Sequence, residues 1–261
     1  MCRWLAYRGR PIFLGDLVTE PEHSLIEQSL HAREAKTGTN GDGFGVGWYG
    51  ERSEPGLYRE ILPAWSDENL RSLCRQIRSG QFFAHVRAST GTATSRANCH
   101  PFVHGRTMFM HNGQIGGYGA IRRALEALVP DGLFAQRQGT TDSELIFLLA
   151  LAEAAPFPVA LARVLSRIEA AMDRAAITEP LRFTACWTDG DSFGAVRYAT
   201  DMKAPSLYYC DADPQALIVV SEPLDGRAER WKAVQQGMML TSAAAAPLNL
   251  SPFEVPMLRA A

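Results

Sequence analysis

Five short apolar runs crowd the last third of the chain: RFTACWTD, SFGAVRYA, SLYYCD, ALIVVSEP and MMLTSA. Their apolar density predicts strands covered on both faces, or on one face by helices. An earlier group of strands comes before them. WLAYRG (Trp4 to Gly9) reads as a strand ending in a turn, FGVGWY and LYREI (Leu57 to Ile61) as two more, and QFFAHVRA (Gln81 to Ala88) as a fourth. RTMFMHNGQIGG (Arg106 to Gly117) reads as a strand running into a turn. Helical stretches near 118–129, 143–155 and 157–175 separate the two groups. Two more helices are predicted further upstream. PEHSLIEQSLHAREA (Pro21 to Ala35) has Pro21 suited to a first turn, and DENLRSLCRQIRSG has Asp67 as cap and Gly80 as stop. The order strands, helices, strands predicts a layered α+β domain with largely antiparallel sheets, not a regular βαβ repeat. No repeat, low-complexity tract or long linker divides the 261 residues, so residues 1–261 read as a single domain.

Composition removes several classes of function. A net charge of −2 offers no electrostatic footing for nucleic acid or an anionic membrane surface. The most apolar run, Leu145 to Ala155, is too short to span a bilayer, and the start lacks a signal-peptide pattern. The five cysteines are odd in number and show no CxxC spacing, which reads as free thiols in a reducing compartment. The expectation is a cytoplasmic globular protein.

Several short segments could carry chemistry. Cys2 stands directly behind Met1. If Met1 is removed, one residue bears both a thiol and a free α-amine, with reference pKa values of about 8.5 and about 8. Such an amine can serve as general base for its own side chain. The bland alternative is a cysteine near a frayed end, although the strand-like WLAY argues that this end is tied into a sheet. In AHVRAST (His85 to Thr90), Arg87 would sit where a strand leaves its sheet. There it could grip a carboxylate with a two-pronged fork, or make an ordinary surface salt bridge. His85 is predicted on the same strand face.

The Asn112-Gly113 pair suits a tight type I′ hairpin turn. It equally suits an oxyanion site built from the Asn112 amide and the Gly113 N–H. In GTTDSELIF, Thr141 and Glu144 fit a capping box, with Asp142 in the first helical turn. The alternative role for Asp142 is to bind a substrate ammonium. Gly45 to Gly50 match GxGxxG by letter, but no helix follows the strand they occupy, so nucleotide binding is rejected. Asn40 to Gly43 read as a loop beside a binding cleft. Cys99, His100, His104 and His111 match no common zinc spacing, and neither metal nor cofactor is expected.

Taken together, these segments resemble the class II glutamine amidotransferases: a second-position Cys, an Arg after a strand His, an Asn-Gly pair and an Asp in T-D-S-E, in that order. NGDGFGVGWY, ANCHPF and the late SEP (Ser221 to Pro223) extend the resemblance to about residue 245. The opening MCRWLAYRG resembles the short stand-alone branch, one group of which hydrolyses a γ-glutamyl amide in ergothioneine synthesis. The resemblance implies an N-terminal-nucleophile hydrolase with a four-layer αββα sandwich. It implies Cys2 as nucleophile with its own amine as base, Asn112 and Gly113 as oxyanion hole, and Arg87 and Asp142 on the α-carboxylate and α-ammonium of the substrate. Ala88 departs from the Trp that follows this Arg in many synthase-fused relatives, so closure of the glutamine pocket is not carried over. The implied activity is hydrolysis of a linear γ-glutamyl amide, either glutamine or a conjugate. Two alternatives stand beside it: a glutaminase subunit feeding ammonia to a separate synthase, and a non-catalytic glutamine-binding regulatory module. A small-molecule substrate is expected, and a homodimer is compatible with the sequence.

Overall fold

The computed structural model describes residues 2–34, 38–89, 91, 93–243 and 248–257. Met1, the helix end predicted at Ala35, Thr37 of the glycine-rich stretch and Thr90 lie outside them.

The chain opens with β1 (Arg3–Phe13), whose first five residues are buried. It does not stop at Gly9. Its pairing passes through an irregularity between Arg8 and Ile12 and resumes to Phe13. Two short helices follow, α1 (Gly15–Val18) and α2 (Leu25–Leu30). The second is shorter than its pattern predicts, because Ser24 caps it by accepting the Glu27 N–H, which leaves Pro21 in the turn before it. β2 (Phe44–Trp48) and β3 (Gly56–Glu60) form a hairpin, and α3 (Glu68–Gln76) starts at Asp67, which caps Leu70. The helix ends before the predicted Gly80, since Arg78 to Gly80 already belong to β4 (Arg78–Val86). β5 (Phe102–His104) pairs with β6 (Thr107–Gln114). Then come α4 (Tyr118–Glu126), α5 (Asp131–Phe134), α6 (Asp142–Ala152) and α7 (Phe157–Arg174). The last third supplies β7 (Arg182–Thr188), β8 (Ser192–Ala199), β9 (Tyr208–Cys210), β10 (Ala216–Val220), β11 (Lys232–Ala233), β12 (Met238–Ala243) and β13 (Asn249–Pro252).

Among the described residues the strands form two sheets, with every neighbouring pair antiparallel. One runs β11-β9-β10-β1-β4-β2-β3 and the other β13-β12-β8-β7-β6-β5. Three apolar clusters show how the layers stack. Leu5, Tyr7, Phe82 and Val86 pack with Leu14, Leu25 and Leu70, which puts α1 to α3 over the first sheet. Trp4, Ala6 and Phe83 pack with Met108, Met110 and Phe193, filling the space between the sheets. Phe109 and Phe183 pack with Ile121, Phe147 and Leu165, which puts α4, α6 and α7 over the second. The result is the four-layer αββα sandwich expected of an N-terminal-nucleophile hydrolase. α6 is apolar nearly all round, as a helix buried between a sheet and α7 must be.

Candidate active site

Side chains alternate along a strand, so each strand has one face in each layer. Trp4 and Ala6 face the inter-sheet core, and Cys2 shares their parity. Phe83 faces it too, with His85 two residues on, as do Met108 and Met110, with Asn112 two residues on. Cys2, His85 and Asn112 therefore converge between the sheets, where the apolar filling gives way to a cavity of about 320 Å³. Cys2, Arg87, Asn112, Gly113 and Asp142 all line this cavity.

Cys2 is partly exposed, whereas Cys74, Cys99, Cys186 and Cys210 are buried. Burial pushes the Cys74 thiol up to about 12, Cys99 up to about 11 and Cys186 well above its usual range, which keeps those sulfurs protonated and inert. The Cys2 sulfur lies against the Ala88 backbone, 3.4 Å from its N–H and 3.6 Å from its carbonyl. The Cys2 carbonyl accepts the Asn112 amide N–H at 2.8 Å.

The Asn112-Gly113 pair is not a hairpin turn. β6 runs through both residues, pairing Asn112 with Thr184 and Gly113 with Phe183, and the chain turns only at Gly116 and Gly117. Gly113 has φ +140°, and a Cβ there would overlap the Arg182 carbonyl. Only glycine allows this close approach.

Arg87 lies one residue beyond β4 and is buried. Its guanidinium donates to the carbonyls of Asp42 (3.3 Å) and Ala93 (3.2 Å) and to Ser89 Oγ (3.2 Å). The Asp42 carboxylate in turn accepts the Ser89 N–H at 2.7 Å. The Asn40–Gly43 loop thus backs the arginine and does not itself line the cavity. Asp142 opens α6, and its carboxylate accepts the N–H groups of Ile115 (2.9 Å) and Ser143 (2.8 Å). Thr141 caps Glu144 as predicted, but the Glu144 carboxylate reaches Gln138 and Gly139, so the reciprocal half of the capping box is replaced by a loop clamp.

Three buried histidines, His85, His100 and His111, also border the cavity. Burial, together with the nearby Arg87 and Arg3 charges, pushes His85 down to about 3. Burial likewise drives His100 well below the usual imidazole range. Burial lowers His111 as well, although Asp142 partly opposes it. The His111 Nε2–H donates to the Arg182 carbonyl (3.4 Å), so Nδ1 accepts from the Ser143 hydroxyl (2.8 Å). The sequence offered no local signal for Ser89, Tyr118, Ser143 and Arg182, which also line the cavity. Among the described residues, no group of three or more His, Cys, Asp or Glu side chains is arranged to hold a metal ion, and no helix is long and apolar enough to cross a membrane.

The fold is of the N-terminal-nucleophile hydrolase type. A family model described as glutamine amidotransferases class-II matches residues 16–202. The matched span holds Arg87, Asn112, Gly113 and Asp142 and begins after Cys2. The chain belongs to the class II glutamine amidotransferase family. It is 35% identical to the probable glutamine amidotransferase DUG3 of Saccharomyces cerevisiae over 92% of this chain and 81% of that protein. It is 34% identical to the gamma-glutamyl-hercynylcysteine sulfoxide hydrolase of Mycolicibacterium smegmatis over 44% of this chain and 52% of that protein. Among solved structures, a glutamine aminotransferase class-II domain protein from Silicibacter pomeroyi superposes with a TM-score of 0.76 and 40% identity, covering 97% of this chain and 99% of that one. The glutamine phosphoribosylpyrophosphate amidotransferase of Bacillus subtilis shares the fold at 14% identity, with a TM-score of 0.64 over 98% of this chain and 50% of that one.

Proposed function

We propose that the protein hydrolyses a linear γ-glutamyl amide, glutamine or a larger γ-glutamyl conjugate, through a thioester on Cys2. The observation that carries this reading is the meeting of five residues from four distant segments around one cavity, with the Asn112 amide 2.8 Å from the Cys2 carbonyl. The relatives lend support, since one is named a probable glutamine amidotransferase and another a γ-glutamyl hydrolase.

In this mechanism Arg87 and Asp142 hold the α-carboxylate and α-ammonium, directing the γ-amide toward Cys2. Removal of Met1 exposes the α-amine, which takes the thiol proton. The sulfur bonds to the carbonyl carbon of the γ-amide, Cδ of the glutamyl group, and the carbonyl electrons move onto oxygen. An amide nitrogen carries two hydrogens, so Asn112 can hold the Cys2 carbonyl with one and the oxyanion with the other, beside the Gly113 N–H. Collapse breaks the C–N bond, and the leaving amine takes the proton from the α-ammonium of Cys2. Water then attacks the thioester carbon, glutamate leaves, and the thiol is restored.

The test is glutamate release from L-glutamine, γ-glutamyl-p-nitroanilide and a series of γ-glutamyl dipeptides, together with the intact mass of the purified protein. The expected outcome is turnover by a chain lacking Met1, with a loss of at least about 10³-fold in Cys2→Ser or Cys2→Ala. Unchanged turnover in folded Cys2 variants would overturn the mechanism.

A further inference from the structure

The carbonyl of Cys2 accepts two hydrogen bonds of equal length, 2.8 Å from Asn112 Nδ2 and 2.8 Å from Arg3 Nε. Asn112 reaches it from the second sheet. Arg3 belongs to β1 itself, and its side chain is fully buried. Beyond the Cys2 carbonyl, the guanidinium continues through Nη1 to the Ser221 carbonyl (3.4 Å) and to Glu222 Oε2 (3.4 Å). Glu222, also buried, accepts from His23 Nε2 (2.5 Å) and from the backbone N–H groups of Arg33 (2.9 Å) and Glu34 (3.0 Å). Burial by itself would push the Glu222 carboxyl up, but His23, the two N–H groups and the Arg3 charge bring it below the usual carboxylate range. Ser221 adds a further tie by accepting the Trp4 N–H at 2.9 Å.

Burying an ion pair is costly, and an apolar residue of similar volume commonly serves stability as well or better. The neighbouring β1 positions Trp4, Leu5 and Ala6 are apolar and wholly buried. A charge at Arg3 therefore calls for an explanation other than packing, and the network reaches the cavity lining at the Cys2 carbonyl.

We propose that Arg3, clamped by Glu222, is a positioning residue that fixes the peptide plane of Cys2 and so the place on the sheet from which its thiol and amine leave the backbone. The proposal rests on the reading of Cys2 as nucleophile. A first residue has only one peptide bond, so the plane of that peptide alone sets where its Cα lies and along which axis the Cα–C bond runs, and a tilt of the plane carries sulfur and amine with it. One donor on the carbonyl leaves that plane hinged, whereas two donors from different directions fix it. Lysine substitutes only in part, because its ammonium keeps the charge but lacks the planar fork that serves two fixed acceptors at once. A misplacement of about 1 Å at reacting atoms costs on the order of 10²-fold in rate.

The test uses Arg3→Met, Arg3→Lys and Glu222→Gln in the full chain, with kcat and KM measured on the best γ-glutamyl amide of the panel above. Rates are counted per folded molecule whose Cys2 alkylates stoichiometrically. Arg3→Met is expected to lose at least about tenfold in kcat, with KM held within about threefold, and Arg3→Lys to fall between it and the parent. Glu222→Gln fills the same volume and carries the test if Arg3→Met does not fold; it is expected to lower kcat severalfold with KM held. Unchanged kcat per folded molecule would make the network purely structural and overturn the proposal, as would a rise in KM at constant kcat. Activity that persists in Cys2→Ala overturns the nucleophile and this proposal with it. Loss in Cys2→Ala with a normal kcat in Arg3→Met, or in Glu222→Gln where Arg3→Met does not fold, overturns this proposal alone.

Discussion

In one part of the cavity lining, Asn112 and Gly113 lie inside a strand ladder, fixed by their register with Thr184 and Phe183. In another, Arg87 stands one residue past a strand and Asp142 at the first residue of a helix, each braced by hydrogen bonds with neighbouring loops and turns. The ladder residues can move only if a sheet moves with them. The braced residues can shift by small loop adjustments. On the proposed mechanism the first pair governs rate and the second substrate choice, because loops tolerate change that a packed ladder does not.

The largest expected effect is at Gly113→Ala, where a Cβ must displace the Arg182 carbonyl. Urea unfolding should show a loss of about 3 kcal/mol, accompanied by near-complete loss of turnover. A stable, active variant would mean that the ladder is looser than the contrast requires. Asn112→Ala should lower kcat by about 10²–10³ with a much smaller change in KM. Arg87→Lys, among the braced residues, should do the reverse and raise KM about tenfold while kcat changes little, since lysine lacks the fork. Asp42→Ala, which removes the acceptor of the Ser89 N–H, should raise KM by only about threefold, because the Asp42 backbone carbonyl that receives Arg87 remains. A kcat effect at Arg87 or Asp42 equal to that at Asn112 would erase the distinction between ladder and braced residues.

The smallest effect concerns acid. His85 is held at about 3 in the fold and would titrate near 6.5 when unfolded. Between those values the unfolded chain binds the extra proton, so stability is present above about pH 6.5 and is lost as pH falls toward 3, by at most about 1.4 kcal/mol per unit from this residue. Denaturation midpoints at pH 7 and pH 5 should therefore differ less in His85→Gln than in the parent. Equal differences would remove His85 from the acid response.

Much of this architecture could be read from the residues, but unevenly. The long strands announced themselves because both of their faces are covered, which leaves apolar runs such as ALIVV and FTACW. The short partners β5, β11 and β13 carry no such run and exist only because a longer strand lies alongside. Local turn chemistry misread Asn112-Gly113, because the strand that keeps the pair extended, β7, lies about seventy positions downstream. Cys2, Arg87, Asn112, Gly113 and Asp142 were legible as a set through family resemblance, not one by one. The supports of Arg87 at Asp42 and Ala93, and those of Asp142 at Ile115 and Ser143, were not, since backbone acceptors and donors leave no mark on residue identity.

The strand that follows Cys2 lies inside its sheet, between β4 and β10. One of its neighbours is synthesised early. The other, with the Ser221 that Arg3 reaches 218 positions away, is among the last described parts of the chain to be made. The strand that carries Arg3 is thus completed by a segment 218 residues later. A nascent or truncated chain ending before β10 carries Cys2 without the strand and ion pair that hold it. On the proposed mechanism, catalytic competence waits until β10 and Glu222 have been made and have folded against β1.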